Sequence, residues 1–153
     1  MAELPIWMRD PIGSAERGEN PTVLARLRSG FAVFGWSQFL PGYSLLLGVP
    51  RVARLEDMPR DGRRLFLDDM GLLGEAVARA CAPRRVNYSI YGNTDPYVHA
   101  HVVPRYDWEP AERVTRPIWE YGPEKWSAPE YAFDEAKHGD LKRRIAAALA
   151  ESV

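Results

Sequence analysis

Two histidines, His99 and His101, lie two residues apart in the run YVHAHVV, residues 97–103. Its apolar residues, with turn residues before them, predict a β-strand, in which side chains two residues apart point to the same face. Same-face neighbours are separated by roughly 7 Å at about 3.3 Å rise per residue. Both imidazoles can therefore contact a single phosphate-sized group.

An imidazole in this position can act as a nucleophile toward phosphorus. The neutral ring attacks without prior removal of a proton, and it leaves a cationic phosphoramidate from which it can depart again. His99 could serve in this way if an acceptor such as a backbone carbonyl holds its other ring nitrogen protonated. His101 would then donate a hydrogen bond to phosphate oxygens or to the leaving group.

The same pair of histidines also fits two other interpretations, a purely structural role and metal binding through H-x-H geometry. A catalytic metal with three protein ligands needs another donor, and Asp107 and Glu109 follow in the sequence. The glycines and the glutamate that mark a cupin metal site are not at cupin spacing. The residues alone leave these alternatives open.

Length and composition predict one globular domain spanning residues 1–153. The chain is 46% apolar and 27% charged, which is typical of a globular protein and argues against disorder. Its formal charge of −1 provides no bulk attraction to nucleic acid or to a membrane surface. With one cysteine, no signal segment and no apolar run near the roughly 20 residues of a membrane span, we expect a cytoplasmic protein.

The remaining sequence predicts the elements that must hold the histidines. Hydrophobic spacing indicates one amphipathic helix that starts near Pro59 and is stopped by Pro83. Asp140 is the expected cap of a last helix, residues 140–151. Residues 1–20 look like an irregular arm, and residues 107–132 like an irregular, proline- and tryptophan-rich segment packed on the sheet. Strands are predicted at residues 30–36, 43–49, 86–91 and 98–102, which makes an α+β domain with a mainly antiparallel sheet.

The segment VNYSIYGNTDPYVHAHVVPRY, residues 86–106, strongly resembles the signature region of histidine triad (HIT) proteins. The shared features are an Asn-bearing strand, a Gly-Asn turn, alternating histidines and apolar residues, and a Pro-Arg pair. The resemblance extends over roughly residues 24–108. It implies a HIT-like fold, with a sheet of about five strands, one long helix and a C-terminal helix.

The resemblance implies roles for individual residues. It makes His99 the nucleophile and places His101 against the phosphates or the leaving group. Asn93 and Thr94 would contact phosphate from their turn, although Asn beside Gly is also ordinary turn chemistry. Asn87 would help to orient the phosphate, or it is an unremarkable strand amide.

Two positions depart from the family pattern. Tyr97 stands where the first histidine of the triad is usual, and Arg51 stands about where the family often has a histidine before the long helix. Tyr97 can still donate a hydrogen bond and Arg51 can still bind phosphate, but neither titrates near neutral pH in an ordinary setting.

Other residues receive weaker assignments from the same comparison. The family's apolar cleft for the nucleoside has Phe31, Phe34 and Trp36 as candidates here, and core packing is the competing interpretation for each. Arg105 is expected at a solvated strand end, with a phosphate contact as the alternative. We expect His138 to lie on the surface.

The expected function is that of a nucleotide hydrolase or transferase acting at an α-phosphate through a nucleotidyl-histidine intermediate. The motif is most similar to that of bacterial HIT proteins that hydrolyse dinucleoside polyphosphates, so diadenosine polyphosphates come first, and nucleoside phosphoramidates are the next choice. No cofactor is expected, except that magnesium could assist polyphosphate binding. The family also implies a homodimer. The alternatives are a nucleotide-binding regulatory protein with little turnover and a metal-dependent enzyme using His99 and His101.

Overall fold

A five-stranded antiparallel sheet lies at the centre of the fold, and its strands follow the order β1-β2-β3-β5-β4. The computed structural model describes residues 2–153. The strands are β1 (Val23–Arg26), β2 (Gly30–Phe34), β3 (Ser44–Gly48), β4 (Arg85–Ser89) and β5 (His99–Arg105). The predicted α+β class with about five strands is confirmed, and β1 is a strand that the sequence analysis did not identify. Because β5 has partners on both sides, the histidine strand is an inner strand of the sheet.

The longest helix is α3, which covers the sheet on one face. The helices are α1 (Ile6–Arg9), α2 (Pro11–Glu16), α3 (Arg60–Cys81), α4 (Ala111–Val114), α5 (Pro123–Trp126) and α6 (Glu135–Ser152). Phe66, Leu73 and Val77 of α3 recur at helical spacing and are fully buried. The helix starts directly after Pro59, as predicted, and ends at Ala82 in the left-handed conformation with φ of 45°. Within residues 2–153, no helix combines the length and the apolar character of a membrane span.

The register of the strands separates the two faces of the sheet. Ala32, Leu46 and Ala100 lie side by side on β2, β3 and β5, and they belong to the core under α3 and α6. The residues on either side of these in each strand point to the opposite face. There, Leu45 lies beside His101 and Leu47 lies beside His99. The helix face therefore holds the larger core, and the other face is available for chemistry.

Both chain ends differ from the sequence prediction. The N-terminal arm is not irregular throughout, since it contains α1 and α2, and the side chain of Asp10 caps α2 by accepting from the Gly13 amide at 3.0 Å. The last helix begins at Glu135 and not near residue 140. Asp134 provides its cap by accepting from the Lys137 amide at 3.0 Å, one turn and more before Asp140.

The segment of residues 107–132 folds over the histidine face of the sheet. It contains α4, α5 and two 3₁₀ turns, Ile118–Glu120 and Pro129–Tyr131. Its Trp126 ring packs against Phe39 and Tyr43 at centroid distances of 4.7 and 5.7 Å. The aromatic residues of this segment therefore build a second apolar cluster on that face.

Arg105 anchors this segment, which corrects the expectation of a solvated strand end. The guanidinium is 3% exposed and pairs with the buried carboxylate of Glu109 at 2.9 Å. Its other N–H groups donate to the carbonyls of Arg113 and Arg116 and to Oδ1 of Asn87. Burial alone would raise the pKa of Glu109, but hydrogen bonds from Arg105, the Tyr106 amide and the Tyr121 hydroxyl outweigh it and lower that pKa. All the donors of Arg105 are used inside the fold, which leaves none for a phosphate.

Candidate active site

The position of His99 on inner strand β5 determines which of its ring nitrogens carries the hydrogen. The ring is 7% exposed, and its Nδ1 lies 2.8 Å from the carbonyl oxygen of Tyr97. Because a carbonyl oxygen can only accept, Nδ1 must carry the hydrogen, and Nε2 then carries the lone pair. This is the arrangement that the sequence argument requires of a nucleophilic imidazole.

His101 lies beside His99, with the two ring centroids 5.0 Å apart. Its Nδ1 is 2.7 Å from the hydroxyl of Tyr43, and the ring of Trp119 packs edge-on against it at 4.8 Å. Burial, together with the neighbouring His99, lowers the pKa of His101 to about 4. His101 is therefore neutral over the range in which an exposed histidine changes its charge.

His101 should make the protein less stable in acid. Because its pKa falls from 6.5 to about 4 on folding, the unfolded chain binds a proton between these values and the folded protein does not. The free energy of unfolding should fall as the pH drops through this window, by at most about 1.4 kcal/mol per pH unit from this group. We expect a shallower fall for His101→Gln, measured by urea unfolding at about pH 7 and about pH 5. Identical pH dependence in the two proteins would contradict the proposed state of His101.

The first of two cavities at the histidines is apolar and lies over β2 and β3. This β2–β3 cavity has a volume of about 230 Å³ and borders both His99 and His101. Sheet side chains form its floor, and residues of the N-terminal helix α1 close one side. Its apolar walls include Val33, Trp36, Leu45, Leu47, Trp7 and Met8.

The second cavity, which we call the Trp119 cavity, lies on the other side of the histidines. Its volume is about 600 Å³, and it also borders His99 and His101. Asn93 and Thr94, for which a phosphate contact is predicted, contribute to it from their exposed loop. Its aromatic walls are Trp36, Tyr91 and Trp119.

The aromatic residues that the sequence analysis assigned to the nucleoside cleft have three different positions. Trp36 borders both cavities. Phe31 is on the histidine face, but the guanidinium of Arg26 covers its ring at 5.0 Å and Phe31 is not part of either cavity wall. Phe34 borders the β2–β3 cavity, yet its ring packs in the helix-side core against Phe133 at 5.9 Å. That Phe34 contacts the nucleoside stays a prediction, since the residue borders this cavity while its ring packs on the helix side.

Tyr97 and Arg51 form a pair at the edge of the site. The ring centroid of Tyr97 lies 5.0 Å from that of His99, and the Arg51 guanidinium lies over the Tyr97 ring at 4.7 Å. Burial is the main cause of a raised pKa for Tyr97. Tyr97 thus contacts the nucleophile candidate directly, whereas Arg51 is exposed and contacts Tyr97.

Two further expectations are corrected by the contacts. Asn87, expected to help orient the phosphate, accepts a hydrogen bond from Arg105 at 3.0 Å; it belongs to the anchor of the C-terminal segment and borders neither cavity at the histidines. His138 is half-buried and not a surface residue, because its ring packs on Phe133 with centroids 6.1 Å apart. Its Nδ1 accepts from the Asp134 amide at the start of α6.

Several residues that build the site were missed by the sequence analysis. Tyr43 contacts His101, Trp119 packs against it, and Trp7 and Met8 close the β2–β3 cavity. The tryptophan-rich composition of residues 107–132 indicated packing, but not which ring would lie at a histidine. In the part of the chain that the structure describes, no three His, Cys, Asp or Glu side chains are placed together to hold a metal ion.

The fold is that of histidine triad proteins. A histidine triad protein from Marinobacter aquaeolei VT8 superposes with a TM-score of 0.71 at 19% identity, over 86% of this chain and 90% of that one. A hypothetical histidine triad nucleotide-binding protein from Sulfolobus tokodaii gives 0.70 at 10% identity, over 92% and 91%. A zinc-bound histidine triad family protein from Mycobacterium smegmatis gives 0.64 at 16% identity, over 95% and 99%. Neither a protein-family model nor a curated protein matches the sequence.

Proposed function

We propose that the protein is a HIT-superfamily nucleotide hydrolase or transferase in which His99 attacks the α-phosphorus of a nucleotide substrate. The observation that carries this proposal is the hydrogen bond from His99 Nδ1 to the Tyr97 carbonyl. It directs the lone pair of Nε2 away from the backbone, in a ring placed between two cavities. This position suits a substrate with a large group on each side of the scissile bond, because each cavity can hold one of the two groups.

The reaction proceeds in two steps at this site. In the first step, His99 Nε2 bonds to phosphorus, the bond to the leaving group breaks, and a nucleotidyl-histidine forms. In the second step, water or another acceptor attacks the same phosphorus and releases His99 as the neutral ring. Between these steps, the apolar β2–β3 cavity holds the nucleoside, while Asn93, Thr94 and Trp119 line the space for the leaving group.

Diadenosine polyphosphates are the first substrate candidates, and nucleoside phosphoramidates are the second. Two nucleosides joined by phosphates fit a site with one apolar and one aromatic-walled cavity. The nucleotide-binding description of the Sulfolobus tokodaii neighbour supports the nucleotide part of the proposal. Magnesium would serve by screening the charge of a bound polyphosphate. We also propose a homodimer, for which β4, an edge strand of the sheet formed by residues 2–153, offers a surface.

A nucleotide-binding protein with little turnover is the second candidate function. It is favoured by Tyr97, because a phenol contacts His99 where the family pattern usually has a histidine. It is also favoured by Arg51, which stands in for another usual histidine and stacks on that phenol. A metal-dependent enzyme is a weaker alternative. The zinc-bound neighbour from Mycobacterium smegmatis is the reason to consider a metal. Against it, the described residues provide no group of three His, Cys, Asp or Glu side chains that could bind one.

A panel of nucleotides hydrolysed in ¹⁸O-labelled water tests the proposal. We expect a nucleoside monophosphate among the products, with the label on its phosphorus, because water attacks the α-phosphate last. The same turnover of a phosphoramidate after chelation would exclude the metal-dependent alternative. Tight binding of nucleotides without turnover of any would favour the regulatory candidate, and label only on the leaving group would contradict attack at the α-phosphate.

A further inference from the structure

The surroundings of His101 hold no ready source of a proton. His99, Tyr43, Tyr91 and Trp119 face the ring with centroids 4.8 to 6.5 Å away, and none of them carries a carboxyl or ammonium group. The Nδ1 hydrogen of His99 is bonded to the Tyr97 carbonyl. The carboxylate that borders both cavities belongs to Asp95, which is exposed and forms no hydrogen bond with either histidine among the described residues. His101 itself is 5% exposed. Its proton state is therefore determined by its one hydrogen-bond partner, Tyr43.

Tyr43 is held rigidly in the turn before β3. Its side chain is fully buried, and Gln38 fastens the turn by donating to the carbonyls of Gly35 and Tyr43 at 3.0 and 2.9 Å. The Gln38 oxygen in turn accepts from the Gly42 amide at 2.9 Å. These bonds fix the position of the Tyr43 hydroxyl relative to β5.

The hydrogen bond between Tyr43 and His101 has a defined direction. Within residues 2–153, the Tyr43 hydroxyl has no other partner, so accepting from His101 would leave its own hydrogen unpaired in the core. Donation to Nδ1 satisfies both groups. Nδ1 of His101 is then the acceptor, and the ring hydrogen lies on Nε2, where it can point toward a substrate.

We propose that Tyr43 fixes His101 as a neutral hydrogen-bond donor, and that this makes the site selective for leaving groups that depart as anions over alkylamines. Phosphates of a phosphoanhydride belong to the first class, and the amines of alkyl phosphoramidates belong to the second. The inference rests on the proposed function of His99. Tyr43 is a positioning residue in this scheme, since it acts through His101.

The balance of protons distinguishes the two classes. When a P–O bond of an anhydride breaks, the electron pair stays on the departing phosphate oxygen, which needs only the hydrogen bond from His101 Nε2–H. When a P–N bond breaks, the departing alkylamine nitrogen must gain a proton. If His101 gave up Nε2–H, Nδ1 would have to take the proton of Tyr43, and a tyrosinate would remain in the core. Burial raises the pKa of Tyr43, so this relay is unfavourable.

A matched pair of substrates tests the selectivity. Adenosine 5′-monophosphate is linked either to 4-nitrophenol, which leaves as an anion, or to 4-nitrobenzylamine, which leaves as an amine. The two leaving groups differ in intrinsic reactivity, so the readout is how the ratio of their kcat/KM values changes between variants. Tyr43→His places a group at Nδ1 that exchanges protons near neutral pH. We expect it to shift the ratio toward the amidate by about tenfold or more, with a new acidic limb in the pH profile for the amidate.

The tautomer of His101 tests the positioning independently of turnover. In ¹⁵N NMR spectra of the wild type, His101 should be the Nε2–H tautomer, and Tyr43→Phe, which removes only the hydroxyl, should give a mixture of tautomers. Tyr121→Phe is the matched control, because it removes another buried tyrosine hydroxyl, bonded to Glu109 at 2.7 Å, and should change neither the tautomer nor the ratio.

The outcomes separate this inference from the proposed function. An unchanged substrate ratio in Tyr43→His, or the same His101 tautomer in wild type and Tyr43→Phe, would overturn the inference even if the ester is hydrolysed. If neither substrate is hydrolysed, the proposed function fails, and the spectra still decide the role of Tyr43. Should Tyr43→His fail to fold, the spectra of Tyr43→Phe carry the test: a mixture of His101 tautomers supports the inference, and a loss of both activities at an unchanged tautomer counts against it.

Discussion

Replacing His99 with asparagine is expected to abolish turnover, by roughly four orders of magnitude or more, while nucleotide binding is retained. Asparagine has no nitrogen lone pair that can bond to phosphorus, so the first step is lost. The two cavities remain, because their walls come from Val33, Leu45, Trp36 and Trp119. His101→Asn should instead slow turnover, since it removes a hydrogen bond to the leaving group and not the nucleophile.

The covalent intermediate provides the direct measurement for this prediction. After quenching without acid, wild-type protein mixed with α-labelled diadenosine polyphosphate should carry nucleotidyl mass on the peptide that contains His99. His138→Asn is the matched control, because that histidine packs on Phe133 in the helix-side region and should leave the adduct intact. Wild-type turnover by a His99→Ala protein would show that His101, a metal-bound water or another site carries the chemistry.

Replacing Arg105 with methionine is expected to destabilise the protein by about 3–5 kcal/mol. The substitution leaves the carboxylate of Glu109 buried without its cation, and it leaves the carbonyls of Arg113 and Arg116 without a donor. Because domains of this size are stable by only about 5–15 kcal/mol, this loss is a large part of the total. The segment of residues 107–132 should detach first, and Trp119 with it.

Urea unfolding followed by tryptophan fluorescence measures this effect. The control is Arg84→Met, which breaks the exposed Arg84–Asp107 pair at 3.2 Å and should cost less than about 1 kcal/mol. Glu109→Gln combined with Arg105→Met should recover part of the loss, because the unpaired charge is gone. Equal effects of the Arg105 and Arg84 substitutions would show that the buried pair does not anchor the segment.

The local pattern predicted much of the sheet and of the histidine pair. Period-two alternation placed His99 and His101 on one face, and the apolar spacing before Pro83 located α3. The same alternation separates Phe31 from Phe34, because residues three positions apart on a strand point to opposite faces. Only Phe31 is on the histidine face, and there Arg26 covers it.

The contacts that the sequence analysis missed join residues that are distant in the chain. Tyr43 and His101 are separated by 58 positions, and nothing in the sequence near Tyr43 indicates that its hydroxyl meets a histidine. Arg105 is an exception, since its partners Glu109, Arg113 and Arg116 are only 4 to 11 positions away, but they lie in turns whose path is fixed only after the segment has folded. The cap at Asp134 illustrates a local failure, since Asp134 and Asp140 are equally good capping residues by type and the choice depends on where Phe133 packs.

Part of the walls of the two cavities comes from segments outside the sheet that holds the histidines. The sheet supplies His99 and His101, whereas Trp7 and Met8 come from the first helix and Trp119 from a segment after the last strand. Segments outside the sheet can exchange residues without changing any strand register. If His99 is the nucleophile as proposed, substrate range can diverge through these segments while His99 stays in place. Chimaeras that swap residues 2–16 or 107–132 between relatives would then be a direct route to new specificities.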